Sequence, residues 1–147
     1  MTNRPVTNRL VGRCHCGNIA VRFETPSDPR RLQLRACGCS FCRKHAVRTT
    51  SDPMGTMKFI ADDSKAIHRY RFGTKTADVL LCRSCGVYVG AVIEADGKNY
   101  GIVNVNVLDD QAPFAREAET MNYENENALG RIARRKAKWT PTEIQTG

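Results

Sequence analysis

A mainly β fold, made of short antiparallel strands held by cysteine knuckles with a short helical or irregular C-terminal arm, is predicted by three observations. Apolar residues recur with period two over short stretches, an Asp-Gly pair separates the two longest apolar runs, and seven cysteines fall into three tight groups in a chain of 147 residues. That length suits one domain with a real core. Residues 1–10, "MTNRPVTNRL", read as a flexible N-terminal tail and 11–147 as a single domain. No stretch approaches eighteen apolar residues and no leader pattern is present, so the sequence reads as soluble and cytoplasmic, with no membrane partner.

Taken in order, "IAVRF" at 19–23 alternates Ile19, Val21 and Phe23 with Ala20 and Arg22, a half-buried strand that ends in the turn-rich "ETPSDP". Further short strands are predicted at "RLQLRAC" (31–37), "MKFI" (57–60) and "AIHRYRF" (66–72), each rich in β-branched or aromatic residues and bounded by turn formers. Parts of "VLLCRSCGVYVGAVIEA" and "YGIVNVNVL" flank "DGK" at 96–98, and an Asp-Gly so placed signals a tight hairpin of the central sheet. Beyond Asp109, "QAPFAREAE" suits a short helix and "TMNYENENALG" is polar. "LGRIARRKAKW" spaces Leu129, Ile132, Ala133 and Trp139 at helical intervals. Trp139 is expected to pack this arm onto the sheet.

Seven thiols argue against a disulfide framework, since the number is odd and nothing suggests secretion; metal ligation accounts for them better. They group as Cys14 and Cys16 in "GRCHCGN", Cys37, Cys39 and Cys42 in "CGCSFC", and Cys82 and Cys85 in "LCRSCGV". Cys-x-x-Cys-Gly is how a zinc knuckle turns both sulfurs toward one ion, with the glycine free to take a positive φ. Two such pairs can close a four-sulfur structural site from Cys14, Cys16, Cys82 and Cys85, tying the first strand to the central hairpin. Cys37, Cys39 and Cys42 then remain as a three-thiolate set. Three readings of that set stand: an open zinc site with room for water or a substrate sulfur, a closed site completed by His45 of "CRKH", or a disulfide or chance cluster. His15 lies between two ligands and is expected to point away from the metal.

With these motifs in hand, the chain resembles the glutathione-dependent formaldehyde-activating enzyme family, which shares its domain with centromere protein V. The resemblance rests on "GRCHCGNIAVRFE", "CGCSFCRK", "YRFGTKTADVLLCRSCGV", "VNVNVLDD" and "RRKAKWTP" in that order and spacing. It implies an Mss4-like fold, Cys14, Cys16, Cys82 and Cys85 as structural zinc ligands, and Cys37, Cys39 and Cys42 as ligands of a catalytic zinc, two Zn2+ per chain. The implied activity is that of a carbon–sulfur lyase or synthase joining a small thiol of the glutathione kind to an aldehyde. Arg43 and Lys44, just past the last ligand, are candidates to offset the charge of the thiolates or to bind a substrate carboxylate, with His45 beside them.

The formal net charge of +8 falls to about +5 with seven thiolates and two zinc ions. A basic balance of that size suits an anionic small substrate or is simply a solvated surface. Two other functions compete with the enzyme: a zinc-stabilised binding module, if both sites are closed, and nucleic-acid association through Arg131, Arg134, Arg135, Lys136 and Lys138. The last is disfavoured because no nucleic-acid motif accompanies those residues. His68 in "AIHRYRF" is expected on the strand face it shares with Tyr70 and Phe72.

Overall fold

A computed structural model describes residues 7–73, 75–123 and 125–146. The strands are β1 (Asn8–Arg13), β2 (Ile19–Thr25), β3 (Arg35–Cys37), β4 (Thr49–Thr50), β5 (Thr56–Ala61), β6 (Ile67–Tyr70), β7 (Asp78–Cys82), β8 (Tyr88–Ala95), β9 (Lys98–Asn104), β10 (Glu119–Met121) and β11 (Thr140–Thr146). Two α-helices, α1 (Ser40–His45) and α2 (Ala128–Lys138), complete the regular structure. The mainly β architecture is as expected, and most pairings are antiparallel. No helix among the described residues is long and apolar enough to cross a membrane.

Period-two patterning places Ile19, Val21 and Phe23 of β2 inward, opposite Ala61, Phe59 and Met57 of β5. This face packs against β7, β8 and β9, with Phe23 and Phe59 fully buried, each contributing about 1.5–3 kcal/mol of apolar burial. The contact is close: a side chain at Gly12 would lie 1.9 Å from the Val107 carbonyl oxygen. Asp96 and Gly97 take φ of 54° and 75°, the left-handed pair that the β8–β9 hairpin turn requires.

Several elements differ from the sequence reading. Asn8, Arg9 and Leu10 pair with Thr25, Glu24 and Phe23, so the tail expected over 1–10 is strand from Asn8 onward, because β2 needs an edge partner for its backbone; residues 1–6 lie outside the described residues. The strand expected over 31–37 is confined to Arg35–Cys37, preceded by a 3-10 turn at Pro29–Arg31 that Asp28 caps. Instead of a helix, "QAPFAREAE" forms a 3-10 turn that sinks Phe114 into the core, and the chain then pairs as β10 parallel to β3. The strand through "VNVNVL" stops at Asn104, whose side-chain oxygen accepts from Asn106 N (3.1 Å) while its amide donates to the Tyr88 carbonyl (2.9 Å).

The arm beyond residue 127 is a helix followed by a strand. Asn127 caps α2 by accepting from Gly130 N at 2.7 Å. Its apolar residues do not form a buried stripe: Leu129 is 79% exposed, and no residue of α2 is buried. The arginines face inward instead. Arg134 meets both carboxylate oxygens of Glu126 at 3.0 Å and lies over the Tyr123 ring, and Arg135 lies over Trp139 and donates to Thr76. Trp139, only 4% exposed, anchors the arm as expected. β11 then runs parallel to β5 after pairing briefly with β9, so it joins two parts of the sheet.

A buried polar network fixes this join. Asp52 accepts from Thr25 and Ser27 hydroxyls and from Met54 N, its own N–H donates to Thr140 Oγ1 at 2.8 Å, and Ser51 Oγ donates to the Lys138 carbonyl at 2.8 Å.

Candidate metal centre

The cysteines converge in two sets. The β1–β2 turn brings Cys14 and Cys16 to the β7–β8 turn carrying Cys82 and Cys85, and the four sulfurs lie within 4.8 Å of one another. Tetrahedral zinc with sulfurs at about 2.3 Å separates them by about 3.8 Å. Cys14 and Cys16 Sγ stand 3.7 Å apart, and Cys16 and Cys82 Sγ 3.5 Å, so the set fits such an ion as it stands. All seven cysteines are free thiols. Each pair is turned by a glycine in the left-handed region: Gly17 at φ 87° donates to the Cys14 carbonyl, and Gly86 at φ 80° donates to the Cys82 carbonyl. Backbone N–H groups are aimed at the sulfurs, from Ile19 to Cys14 (3.3 Å) and from Cys85 to Cys82 (3.5 Å).

The second set is Cys37, Cys39 and Cys42, again within 4.8 Å. Cys37 ends β3 opposite Met121 of β10, and Gly38 N donates to the Met121 carbonyl at 2.9 Å. Cys39 is the N-cap of α1 and accepts from Cys42 N at 3.4 Å, while Ala46 closes the helix at φ 50°. Two short elements thus turn three sulfurs toward one point. They act as one electrostatic unit: the hydrogen bond from Cys42, with help from Cys39 and the Arg131 charge against the opposing burial, draws Cys37 down to about 5, and the same contact pushes Cys42 up.

His45 is not in that ligand group. Its ring packs on Phe41 at 4.6 Å between centroids and meets Tyr88 edge-on at 5.8 Å. Arg43, Lys44 and His45 are exposed on the last turn of α1. His15 and His68 are exposed too, and His68 belongs to a shallow cleft with Arg69 and Arg83 rather than to the three-cysteine set.

Three features beside this set were not apparent in the sequence. Tyr88 is 4% exposed, and burial, then the charges of Cys42, Cys37 and Cys39, holds its phenol well above the usual range, so it stays protonated. A register shift between Leu80 and Leu81 sets Leu81 opposite Tyr88, leaving Val89 as an extra residue that re-aims β8, and Tyr88 joins Val79, Ala91, Trp139 and Val47 in a second buried cluster against which Phe41 and Cys42 pack. Arg131 reaches over from α2, held by the carbonyls of Tyr123 and Glu126. Neighbouring arginines and burial lower Arg135 to about 10, with burial the larger cause.

Residues 9–124 match the family described as glutathione-dependent formaldehyde-activating enzyme. The chain belongs to that family. Members of the family are formaldehyde-activating enzymes linked to glutathione, and both cysteine sets here are compatible with metal binding. A crystal structure of a Rhodobacter sphaeroides protein superposes with a TM-score of 0.58 at 28% identity, covering 76% of this chain and 99% of that one. The family match ends before α2 and β11, so the arm that brings Arg131 and Trp139 to the three-cysteine set lies outside the matched segment.

Proposed function

We propose that this chain catalyses reversible carbon–sulfur bond formation between a small thiol of the glutathione kind and an aldehyde, at a zinc ion held by Cys37, Cys39 and Cys42. A second zinc on Cys14, Cys16, Cys82 and Cys85 is structural. One observation carries the reading: within a family of formaldehyde-activating enzymes, four sulfurs form a complete set, while the other three converge with no fourth ligand in their group among the described residues. A zinc held by Cys37, Cys39 and Cys42 would supply a free coordination position and would lower the pKa of a thiol bound there.

In the reaction, the thiol sulfur adds to the carbonyl carbon, the C=O π pair moves to oxygen, and the proton lost from sulfur ends there, giving an S-(1-hydroxyalkyl) adduct without oxidation or reduction. Three thiolates leave the site at a net charge of −1 with a divalent ion, which favours thiol activation over strong carbonyl polarisation. Arg131 offsets part of that charge, and the neutral Tyr88 phenol closes the inner wall. Arg43 and Lys44, exposed on the last turn of α1 just past Cys42, are the candidates to meet an anionic substrate group.

The binding-module reading needs His45 as a fourth ligand, and the aromatic packing of that ring speaks for the open site. Nucleic-acid association is disfavoured by the inward engagement of Arg131, Arg134 and Arg135. Seven free thiols arranged as ligand sets suit the reducing cytoplasm.

The test joins metal analysis to exchange kinetics. Zinc-loaded protein should carry two ions per chain and accelerate the interconversion of formaldehyde, glutathione and S-(hydroxymethyl)glutathione followed by NMR. Fully loaded protein with no acceleration would refute the catalytic reading.

A further inference from the structure

Phe41, joined directly to Cys42, is the hub of an aromatic cluster. Its ring lies 5.0 Å from Tyr70, 5.0 Å from Phe72, 4.6 Å from His45 and 6.0 Å from Tyr88, and Tyr70 stacks on Phe72 at 5.5 Å. The cluster therefore runs from the buried Tyr88 beside the three cysteines out to Tyr70 and Phe72, which remain 39% and 38% exposed. Both rings pack on Phe41, which lies with Cys42 at the margin of the second buried cluster of Val47, Tyr88 and Trp139, and keep their outer parts exposed.

We infer that this wall is the subsite for the group carried by the aldehyde, and that the chain takes an aldehyde bearing an aryl or similarly flat apolar group in addition to, or in preference to, formaldehyde. The inference rests on the proposed carbon–sulfur chemistry. Size decides the occupant. An aromatic side chain has about 150–250 Å2 of surface, so two rings that keep two-fifths of it exposed offer on the order of 150 Å2, far less than the roughly 800 Å2 per partner of a stable protein interface. One planar group of a small molecule matches it. Formaldehyde contributes a single carbon and leaves such a wall unused.

S-Benzylglutathione and S-methylglutathione are stable thioether analogues of the two adducts, and calorimetry on the zinc-loaded full chain compares them without turnover. S-Benzylglutathione should bind about tenfold more tightly, a difference of about 1.4 kcal/mol. In Tyr70→Ala/Phe72→Ala the ratio should fall to within about twofold, and Phe72→Leu, which keeps apolar bulk but loses the flat ring, should lie between. Equal affinities in the wild type, a ratio that survives the double substitution, or no binding of either analogue would overturn the inference. So would a solution dimer that the same substitutions dissociate, since the rings would then belong to a second copy. The two readings fail separately: a tenfold ratio lost in the double variant, without adduct turnover, removes the catalytic proposal and leaves the aryl subsite, whereas turnover of the formaldehyde adduct with no such ratio does the reverse.

Discussion

Replacing Cys16 with serine isolates the contribution of the four-sulfur set, because Cys16 is exposed and its loss removes a ligand without opening the core. An exposed Cys→Ser change away from any metal is worth within about 0.5 kcal/mol. Cys16 and Cys82 are 66 positions apart, and an ion joining them closes a long loop; the chain-entropy relation for such a link gives about 4.4 kcal/mol. The same relation applied to Cys37 and Cys42, five positions apart, gives about 2 kcal/mol. At about 3 °C per kcal/mol for a domain of this size, Cys16→Ser should melt about 13 °C below zinc-loaded wild type once the weakened site has lost its ion, and Cys39→Ser without its own ion only about 6 °C below. Differential scanning fluorimetry on samples of measured zinc content reads both values. After exhaustive chelation, Cys16→Ser and wild type should melt within about 2 °C of each other, because the metal link is then gone from both. A Cys16→Ser protein shown to lack that ion yet melting within about 3 °C of zinc-loaded wild type, or equal losses for the two variants, would refute the division into a structural and an open site.

Three further outcomes are expected. His45→Ala should retain its zinc against a graded chelator series as well as wild type does, and X-ray absorption of the wild type should show sulfur neighbours and no nitrogen at about 2.0–2.1 Å; loss of the metal together with such a nitrogen would make His45 a ligand. Asp52→Ala should destabilise the domain by about 3 kcal/mol in denaturant unfolding, since it leaves the buried Thr25 hydroxyl and the Met54 N–H without their acceptor; a loss below about 1 kcal/mol would show that the Asp52 carboxylate does not stabilise this part of the fold. Gly12→Ala should cost about 1–3 kcal/mol, because the added carbon meets backbone at Val107 and Leu108 that cannot rotate away; a neutral result would mean the β1 contact is looser than described.

Much of the cysteine grouping was legible in the sequence, because it depends on residue identity and short spacing. Cys-x-x-Cys-Gly defines a turn within a few residues, and the structure gives Gly86 the positive φ that the spacing implies; Gly17 after Cys14 and Cys16 takes one too. The β2 strand and the β8–β9 hairpin were legible for the same reason: period-two burial and an Asp-Gly turn are local properties. The arm was only half legible. Its helix and the anchoring Trp139 follow from pattern, but the stripe containing Leu129 suggested a buried apolar face, and the inward face belongs instead to arginines held by Glu126, Tyr123 and Trp139, partners assembled by the fold.

What the sequence by itself determined was the short cysteine spacings, from which a division into sets of four and three was read, and the mainly β character, all carried by patterns across a few residues. The tertiary structure alone decided that His45 packs on Phe41 instead of joining the sulfurs, that an extra residue in β8 re-aims Tyr88, that the charge of Arg131 acts on Cys37, and that Tyr70 and Phe72 gather on Phe41. These features join β6, β8, α1 and α2, and no local pattern encodes such neighbours, because their positions follow from which strands pair and how the two sides of the β7–β9 sheet are covered.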